Sequence, residues 1–186
     1  MITTTFADLH ATTATTQRHT WDEFIATCAN PPIYQNKQSC QLIKLGSFGN
    51  FQTASGSLRH DANVTSISGI EADYDAGQVS PEIAQMLLAS AGIKCIIVTT
   101  PSHTPEVPRW RVFAPLSNDC SLDTRREFVG RFNGALGGIL APESFVLSQS
   151  YYFGRVAGVE YKCLSVEGAC VDTLPDLPTL FPVKKS

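Results

Sequence analysis

The middle of the chain alternates between hydrophobic and polar positions in a way that predicts a β-α-β unit. Residues 64–74 alternate and are rich in β-branched side chains, which is typical of a strand. A Ser-Pro-Glu start at Ser80 and a stop at Gly92 bound a helix-forming segment, because proline favours the first helical position and glycine the C-terminal cap. Residues 94–100 form a continuous apolar run, typical of a buried strand, and residues 109–115 alternate again. We expect these last two segments to pair as a hairpin.

Further periodic segments flank this unit. Residues 121–136 have the apolar spacing of an amphipathic helix that ends at a Gly-Gly pair. Residues 21–28 predict a shorter helix with Thr20 as its N-cap. Strands are predicted at three further places: residues 41–45, 148–156 and 159–166. This order of elements predicts an α+β fold, an RRM-like or palm-like mixed sheet with helices packed on it.

The length of the chain favours one domain. Its 186 residues, 43% of them hydrophobic, are enough for one core and too few for two. Residues 1–20 are rich in Thr and Ala and are predicted to be a loose lead-in. Residues 21–172 are predicted to be the single domain, followed by a Pro-rich tail or linker at residues 173–186.

Charge and cysteine usage narrow the class of protein. The formal net charge is -3 and the pI about 5.8, whereas a protein that coats nucleic acid is usually basic. Any nucleic acid must therefore be held by local patches or through metal. The six cysteines show no zinc spacing and no Cys-x-x-Cys pair, so reduced structural thiols are expected. No segment is apolar enough to span a membrane, and we expect a soluble, cytoplasmic protein.

Three carboxylates stand at alternate positions at the end of the first predicted strand. Side chains alternate along a strand, so Glu71, Asp73 and Asp75 share one face. Their charges repel unless cations lie between them, and two divalent cations about 3.5–4 Å apart clamp the reacting oxygens in phosphoryl transfer. Carboxylate oxygens suit Mg²⁺ or Mn²⁺. A solvated strand end with a turn at residues 75–77 is the alternative interpretation of the same residues.

Polar residues follow the next two strands as well. Ser102 and His103 come directly after the buried strand, and a histidine there can donate to a phosphate or exchange a proton. Arg109 and Arg111 share one face of the following strand, with Trp110 on the other. Two arginines on one face form a fork that fits phosphate oxygens. Surface charges on an edge strand are the alternative for the arginines, with the tryptophan in the core.

Together these segments resemble the catalytic core of the archaeo-eukaryotic primase-polymerase superfamily. The resemblance covers about residues 59–154 and is strongest to the domains of phage and plasmid replication proteins. It rests on a strand ending in Asp-x-Asp, a helix, a strand followed by Ser-His, and then Pro-Arg-x-Arg. The resemblance implies that residues 21–172 are a primase-polymerase catalytic domain.

The resemblance also implies a role for each of these residues. Asp73 and Asp75 would be catalytic and would bind two divalent metal ions, Mg²⁺ or Mn²⁺. His103, also catalytic, would contact the phosphates of the incoming nucleotide together with Ser102. Two arginines would bind the triphosphate or the template: Arg109 and Arg111.

The chain departs from the family pattern at the third metal-binding carboxylate. Ala141 stands where the acid is expected, so Glu143 is the nearest substitute and Glu71 is the other candidate. Arg59, before the Asp-x-Asp strand, is a candidate contact to the template. Residues 148–152 resemble the late strand that carries aromatic residues over the nucleotide, although core packing is an equal interpretation for one of its two tyrosines.

The function implied by this resemblance is template-directed nucleotidyl transfer. The protein would be a DNA primase-polymerase that makes or extends primers in phage or plasmid replication. Its partners would be nucleoside triphosphates, a single-stranded DNA template and a helicase domain or protein. Two alternatives remain open. One is a non-catalytic RRM-like module that stacks single-stranded bases on exposed aromatics. The other is a rolling-circle replication nuclease, which needs a His-x-His pair that this sequence lacks.

Overall fold

A computed structural model describes residues 1–182, which form two larger antiparallel sheets, a two-stranded sheet and three α-helices. The helices are α1 (Trp21–Ala29), α2 (Pro81–Ser90) and α3 (Arg125–Ala135). The strands are β1 (Ile2–Phe6), β2 (Thr15–Arg18), β3 (Ile33–Tyr34), β4 (Gln41–Lys44), β5 (Gly46–Phe48), β6 (Val64–Tyr74), β7 (Cys95–Thr99), β8 (Trp110–Cys120), β9 (Tyr151–Phe153), β10 (Arg155–Val156) and β11 (Cys163–Val166). Short 3₁₀ helices lie between them, including Lys37–Ser39 and Pro142–Phe145.

The first sheet includes the N-terminus of the chain. Its strand order is β2-β1-β4-β9, with antiparallel pairing throughout. The Ile2 amide donates to Ser68 Oγ at 2.7 Å, and Thr4 Oγ1 donates to the Gly46 carbonyl at 2.7 Å. These bonds tie β1 to the neighbouring sheet. Residues 1–20 are therefore not a loose lead-in, because β-branched threonines build a central strand there.

The second sheet carries the predicted β-α-β unit. Its order is β11-β7-β8-β6-β5, and every pair is antiparallel. Because β6 and β7 both pair antiparallel with β8, they run parallel to each other and are connected by α2. This split β-α-β arrangement confirms the predicted α+β, RRM-like sheet. The last strand, β11, pairs with β7, and β5 takes the edge beside β6.

The two faces of the second sheet pack against different layers. Side chains of α2 and α3, such as Leu88 and Phe132, form the core with one face. The opposite face packs against α1 and the first sheet, where Phe24 meets Phe113 with ring centroids 5.4 Å apart. The central strand β6 is consequently buried on both faces over most of its length. The carboxylates of β6 lie on the face between the two sheets, since Glu71 is registered opposite Phe113.

Several boundaries differ from those predicted. The strand predicted at residues 109–115 continues as β8 to Cys120, and the segment at residues 148–156 is divided into β9 and β10. The predicted N-cap Ser80 is confirmed, with its Oγ accepting from the Ile83 amide at 3.3 Å. All six cysteines are free thiols. Within residues 1–182 no helix has the length and hydropathy required to cross a membrane.

The predicted C-terminal tail packs on the domain over the part that the structure describes. The Leu180 amide donates to the Gly130 carbonyl at 3.0 Å, and Asn133 Nδ2 donates to the Leu180 carbonyl at 3.1 Å. Leu174 and Leu177 pack against the main core. Residues 173–182 therefore lie along α3 instead of forming a separate linker, and residues 183–186 lie outside the described residues.

A buried charge cluster connects the two sheets with α3. Lys44 Nζ on β4 donates to the Glu71 carboxylate on β6, and Arg125 Nη2 on α3 lies 3.3 Å from the same oxygen. Lys44 and Glu71 are fully buried, and Arg125 is nearly so. Burial, together with the charge of Arg125, lowers the pKa of Lys44 to about 8, against the attraction of Glu71. Glu71, predicted as a metal ligand, is instead the shared anion of two buried cations.

The same cluster positions the 3₁₀ helix Pro142–Phe145. Arg125 Nη1 donates to the Ser144 carbonyl at 3.0 Å. Ser144 Oγ accepts from the Asp73 amide at 2.9 Å, and the Ala141 amide donates to the Asp73 carbonyl at 2.9 Å. The end of β6 is therefore held against this 3₁₀ helix by backbone bonds on both sides of one residue.

The charges of this cluster predict that substitutions of Glu71 and Lys44 lower the free energy of unfolding by different amounts. We expect Glu71→Gln to lower the free energy of unfolding by about 3 kcal/mol, because two buried cations lose their anion. Lys44→Met should cost clearly less, since Arg125 still neutralises Glu71. Urea unfolding followed by circular dichroism measures both values. Equal losses in the two variants would show that Glu71 does not serve both cations.

The lowered pKa of Lys44 also predicts a pH dependence of stability. Between a pKa of about 8 in the fold and the ordinary value of 10.5, the unfolded chain binds more protons at Lys44 than the folded chain does. The contribution of Lys44 to the unfolding free energy therefore rises with pH across this window. We expect the difference in unfolding free energy between wild type and Lys44→Met to shift in favour of the wild type as the pH rises. A difference that is constant with pH would contradict the assignment.

Candidate functional site

A cleft of about 480 Å³ opens where the end of β6 faces the first sheet. It gathers seven of the nine residues predicted from the sequence as site residues: Arg59, Asp73, Asp75, Ser102, Arg109, Arg111 and Glu143. The other two, Glu71 and His103, do not line it. Segments separated by most of the chain thus contribute to one cleft, which has the polar lining expected of a site for a charged ligand.

Asp73 is the most constrained carboxylate in the cleft. It is the last but one residue of β6 and is 9% exposed. Its Oδ1 accepts from Arg111 Nε at 2.8 Å, from the residue directly opposite it on β8. Burial raises the pKa of Asp73 above its ordinary value, while the Arg111 guanidinium acts in the opposite direction and the charge of Asp75 adds to the rise. Asp75, just after the strand, is exposed.

Arg111 is held on three sides. Besides its bond to Asp73, Nη1 donates to the Tyr152 carbonyl on β9. Its guanidinium carbon lies 4.4 Å from the centroid of the Tyr151 ring, a cation–π contact. Arg111 is only 5% exposed. Its charge is therefore used within the protein, on Asp73, and its orientation is set by the two tyrosines of β9.

Three further cations surround the mouth of the cleft. Lys37 Nζ donates to Ser102 Oγ at 3.3 Å and lies 5.4 Å from the Tyr152 ring centroid. Arg59 Nη2 donates to the Leu9 carbonyl at 2.8 Å. Among the described residues no group accepts a hydrogen bond from the buried Nε of Arg109. Lys37 was not predicted, because it lies in a 3₁₀ turn after β3 that carries no sequence signal of function.

The carboxylate oxygens of the cleft are the kind of ligand that a divalent ion prefers, but few of them are close together. Asp73, Asp75 and Glu143 line one cleft, but within residues 1–182 no three His, Cys, Asp or Glu side chains are grouped closely enough to hold a metal. Mg²⁺ is usually bound by one or two carboxylates together with substrate phosphates and water. The pair Asp73 and Asp75 fits that donor set, and the exposed Glu143 lines the same cleft.

His103 is buried beneath the cleft and is not part of its lining. Its Nδ1 accepts from the Arg109 amide at 3.1 Å, so the neutral ring carries its proton on Nε2. Nε2 lies 3.5 Å from Glu160 Oε2, and the side chain is 2% exposed. Its backbone amide closes the turn by donating to the Thr100 carbonyl at 3.0 Å. In this arrangement His103 contacts the loop that carries Ser102 and Arg109 and does not line the cleft.

No protein-family model and no curated protein matches the sequence. Among solved structures, the chain is similar to the AEP domain of the primase-polymerase of cyanophage S-2L. The match covers 95% of this chain and 88% of that chain, with a TM-score of 0.56 and 13% sequence identity. At that identity the likeness concerns the fold. The chain therefore has the fold of the AEP domain of a primase-polymerase, the fold that the sequence resemblance implied.

Proposed function

We propose that the protein is a nucleotidyltransferase that extends or starts nucleic-acid chains on a single-stranded DNA template. The observation that supports this most directly is that one cleft of a primase-polymerase fold is lined by both acidic and phosphate-binding side chains. The acidic residues are Asp73 and Asp75, and the others are Lys37, Ser102 and Arg109. Anionic and cationic groups that face one space suit a ligand with both a triphosphate and a metal ion. We also propose that the protein acts in phage or plasmid replication together with a helicase domain or protein.

The cations at the mouth are the proposed contacts for the triphosphate. Lys37 supplies a point charge, and Arg109 supplies a planar fork whose Nε has no partner within residues 1–182. Ser102 Oγ, already a partner of Lys37, offers a hydroxyl beside them. Arg59 lies at the edge of the same cleft and is the proposed contact to the template.

The carboxylates are the proposed ligands of a divalent ion. Asp73 and Asp75 would hold Mg²⁺ or Mn²⁺, with Glu143 as a possible third ligand; when bound, the ion would offset negative charge on the reacting phosphate oxygens. Arg111 fixes the rotamer of Asp73 through the bond to Oδ1. In the reaction, a 3′ hydroxyl gives up its proton to water, and its oxygen forms a bond to the α-phosphorus of the nucleotide. The bond from that phosphorus to the bridging oxygen breaks, and pyrophosphate leaves.

A second candidate function is a non-catalytic module that binds single-stranded nucleic acid. The ion pair of Asp73 with Arg111 favours it, because the pair neutralises the carboxylate without any metal. A rolling-circle nuclease has less support. Tyr151 is buried and burial raises its pKa, so its hydroxyl is a poor nucleophile.

Loss of either aspartate is expected to abolish nucleotide incorporation. Asp73→Asn and Asp75→Asn should each lower incorporation on a primed single-stranded template by at least about a hundredfold, because an amide binds Mg²⁺ or Mn²⁺ poorly. Asparagine at position 73 still accepts the Arg111 bond, so the fold should persist. The matched control is Asp123→Asn, an exposed aspartate outside the cleft. Metal-dependent incorporation that survives in Asp73→Asn would exclude the proposed site, and an inactive wild type that binds single strands would favour the second candidate.

The buried position of His103 predicts that it acts through Arg109. His103→Ala should raise the nucleotide KM about tenfold, with a smaller change in kcat, because the Arg109 amide loses its buried acceptor. His103→Asn should restore most of the affinity, since its Oδ1 can take the place of Nδ1. Steady-state kinetics of the two variants test this. If Nε2 contacted the phosphates directly, asparagine would be too short to replace it, and both variants would lose equally.

A further inference from the structure

A second cleft, of about 280 Å³, lies beside the first. Leu58 lines the second cleft and its neighbour Arg59 lines the first, so one short segment separates them. Gln52 Nε2 donates to the Thr12 carbonyl at 3.1 Å, which joins the two loops that form the walls. The polar residues that line this second cleft carry hydroxyl or amide groups, and none is acidic: Thr12, Thr13, Thr16, Asn50 and Gln52.

Phe51, in one of these loops, presents an exposed aromatic ring. Its side chain is 65% exposed, although the loop is tightly held. The buried Asn63 side chain accepts from the Phe51 amide at 2.9 Å and donates to the carbonyls of Gly49 at 3.0 Å and Leu58 at 2.8 Å. Three bonds from one side chain thus brace both ends of the loop. The ring is exposed on an ordered backbone, so a ligand that stacks on it would find it already in place.

The surroundings of Phe51 favour a nucleic-acid ligand. The His60 ring lies 5.3 Å from the Phe51 ring, and its Nε2 bonds to the Phe51 carbonyl at 2.8 Å. The chain is acidic overall, and the Asp8 carboxylate lies close enough to Arg59 to favour its charge. Residues 9–21 and 47–60 themselves contain no Asp or Glu, although Asp8, Asp22 and Asp61 flank them. These two segments hold three of the chain's four histidines and two arginines: His10, His19, His60, Arg18 and Arg59. An exposed aromatic ring together with an arginine is the combination that binds single strands without sequence preference.

We propose that this region, the Phe51 surface (Phe51, His60 and the second cleft), binds the single-stranded template next to the reaction cleft. A template base stacks on the Phe51 ring, hydroxyl and amide groups of the cleft contact the adjoining nucleotide, and Arg59 meets the phosphate where the strand enters the first cleft. That the strand is a template rests on the proposed function. That it is a single-stranded nucleic acid rests on the surface itself.

Binding of fluorescein-labelled oligo(dT), measured by anisotropy without metal or nucleotide, tests the surface directly. Phe51→Ala should weaken binding about tenfold, and Phe51→Leu should weaken it similarly, since stacking needs an aromatic ring. Phe51→Trp should retain binding, and oligo(dT) should quench the fluorescence of the new tryptophan. Met86→Ala, which removes an exposed apolar side chain of α2, is the matched control and should bind as the wild type does.

The outcomes separate this proposal from the proposed function. The proposal is wrong if Phe51→Ala binds oligo(dT) as the wild type does, or if saturating oligo(dT) does not quench Phe51→Trp. Either result would show that the Phe51 surface does not bind nucleic acid and would favour a protein partner. If binding depends on Phe51 but the wild type incorporates no nucleotide, the Phe51 surface is a nucleic-acid site and the proposed nucleotidyl transfer is wrong. In an active enzyme, Phe51→Ala should raise the KM for template with the nucleotide KM unchanged.

Discussion

The buried carboxylate of Glu71 is the interaction on which the arrangement of the cleft depends. It neutralises Lys44 of the first sheet and Arg125 of α3 at once, and neither cation has access to water. A buried charge without a partner costs several kcal/mol, so neither the first sheet nor α3 can move away from β6 while the domain is folded. Two residues further along β6 lies Asp73, whose amide and carbonyl are bonded to the 3₁₀ helix that Arg125 also holds. The cluster thereby fixes the geometry of the cleft without lying in it.

The pair of Asp73 and Arg111 divides the charges of the cleft into two groups. Arg111 is occupied by Asp73, by the Tyr152 carbonyl and by the Tyr151 ring, so it orients protein groups. The cations left for a ligand are Lys37 and Arg59, from the N-terminal half, and Arg109. A ligand with several negative charges can therefore be held at the mouth while the carboxylates at the end of β6 stay in position. This division is the arrangement that a triphosphate on one side and a metal ion on the other would require.

Local signals in the sequence predicted the second sheet except for its edge strand β5. Long-range burial explains the residues that were predicted wrongly. The alternation of β6 and the Ser80 cap of α2 are local, and both match the structure. Alternation also placed Glu71 and Asp73 on one face, as observed, but it carries no information about a lysine 27 residues away. The threonines of β1 were predicted to lie in a loose lead-in because their burial depends on β4, which follows much later in the chain. His103 was predicted to contact the nucleotide because it follows the buried strand and matches the family pattern, whereas the direction of its ring is set by the bond that Nδ1 accepts from the Arg109 amide.

Charge segregation would allow a chain with a net charge of -3 to hold nucleic acid, as proposed. A uniform negative potential would repel a phosphate backbone, but attraction acts over about one Debye length, roughly 8–10 Å in physiological salt. The cleft lining contains Lys37, Arg59 and Arg109 beside its carboxylates, and residues 9–21 and 47–60 contain no acid. The carboxylates, Asp73 and Asp75, are at the end of β6, where an ion can offset them. An overall acidic balance therefore argues against non-specific coating of long duplexes, and it is compatible with one strand bound along a short, locally cationic path.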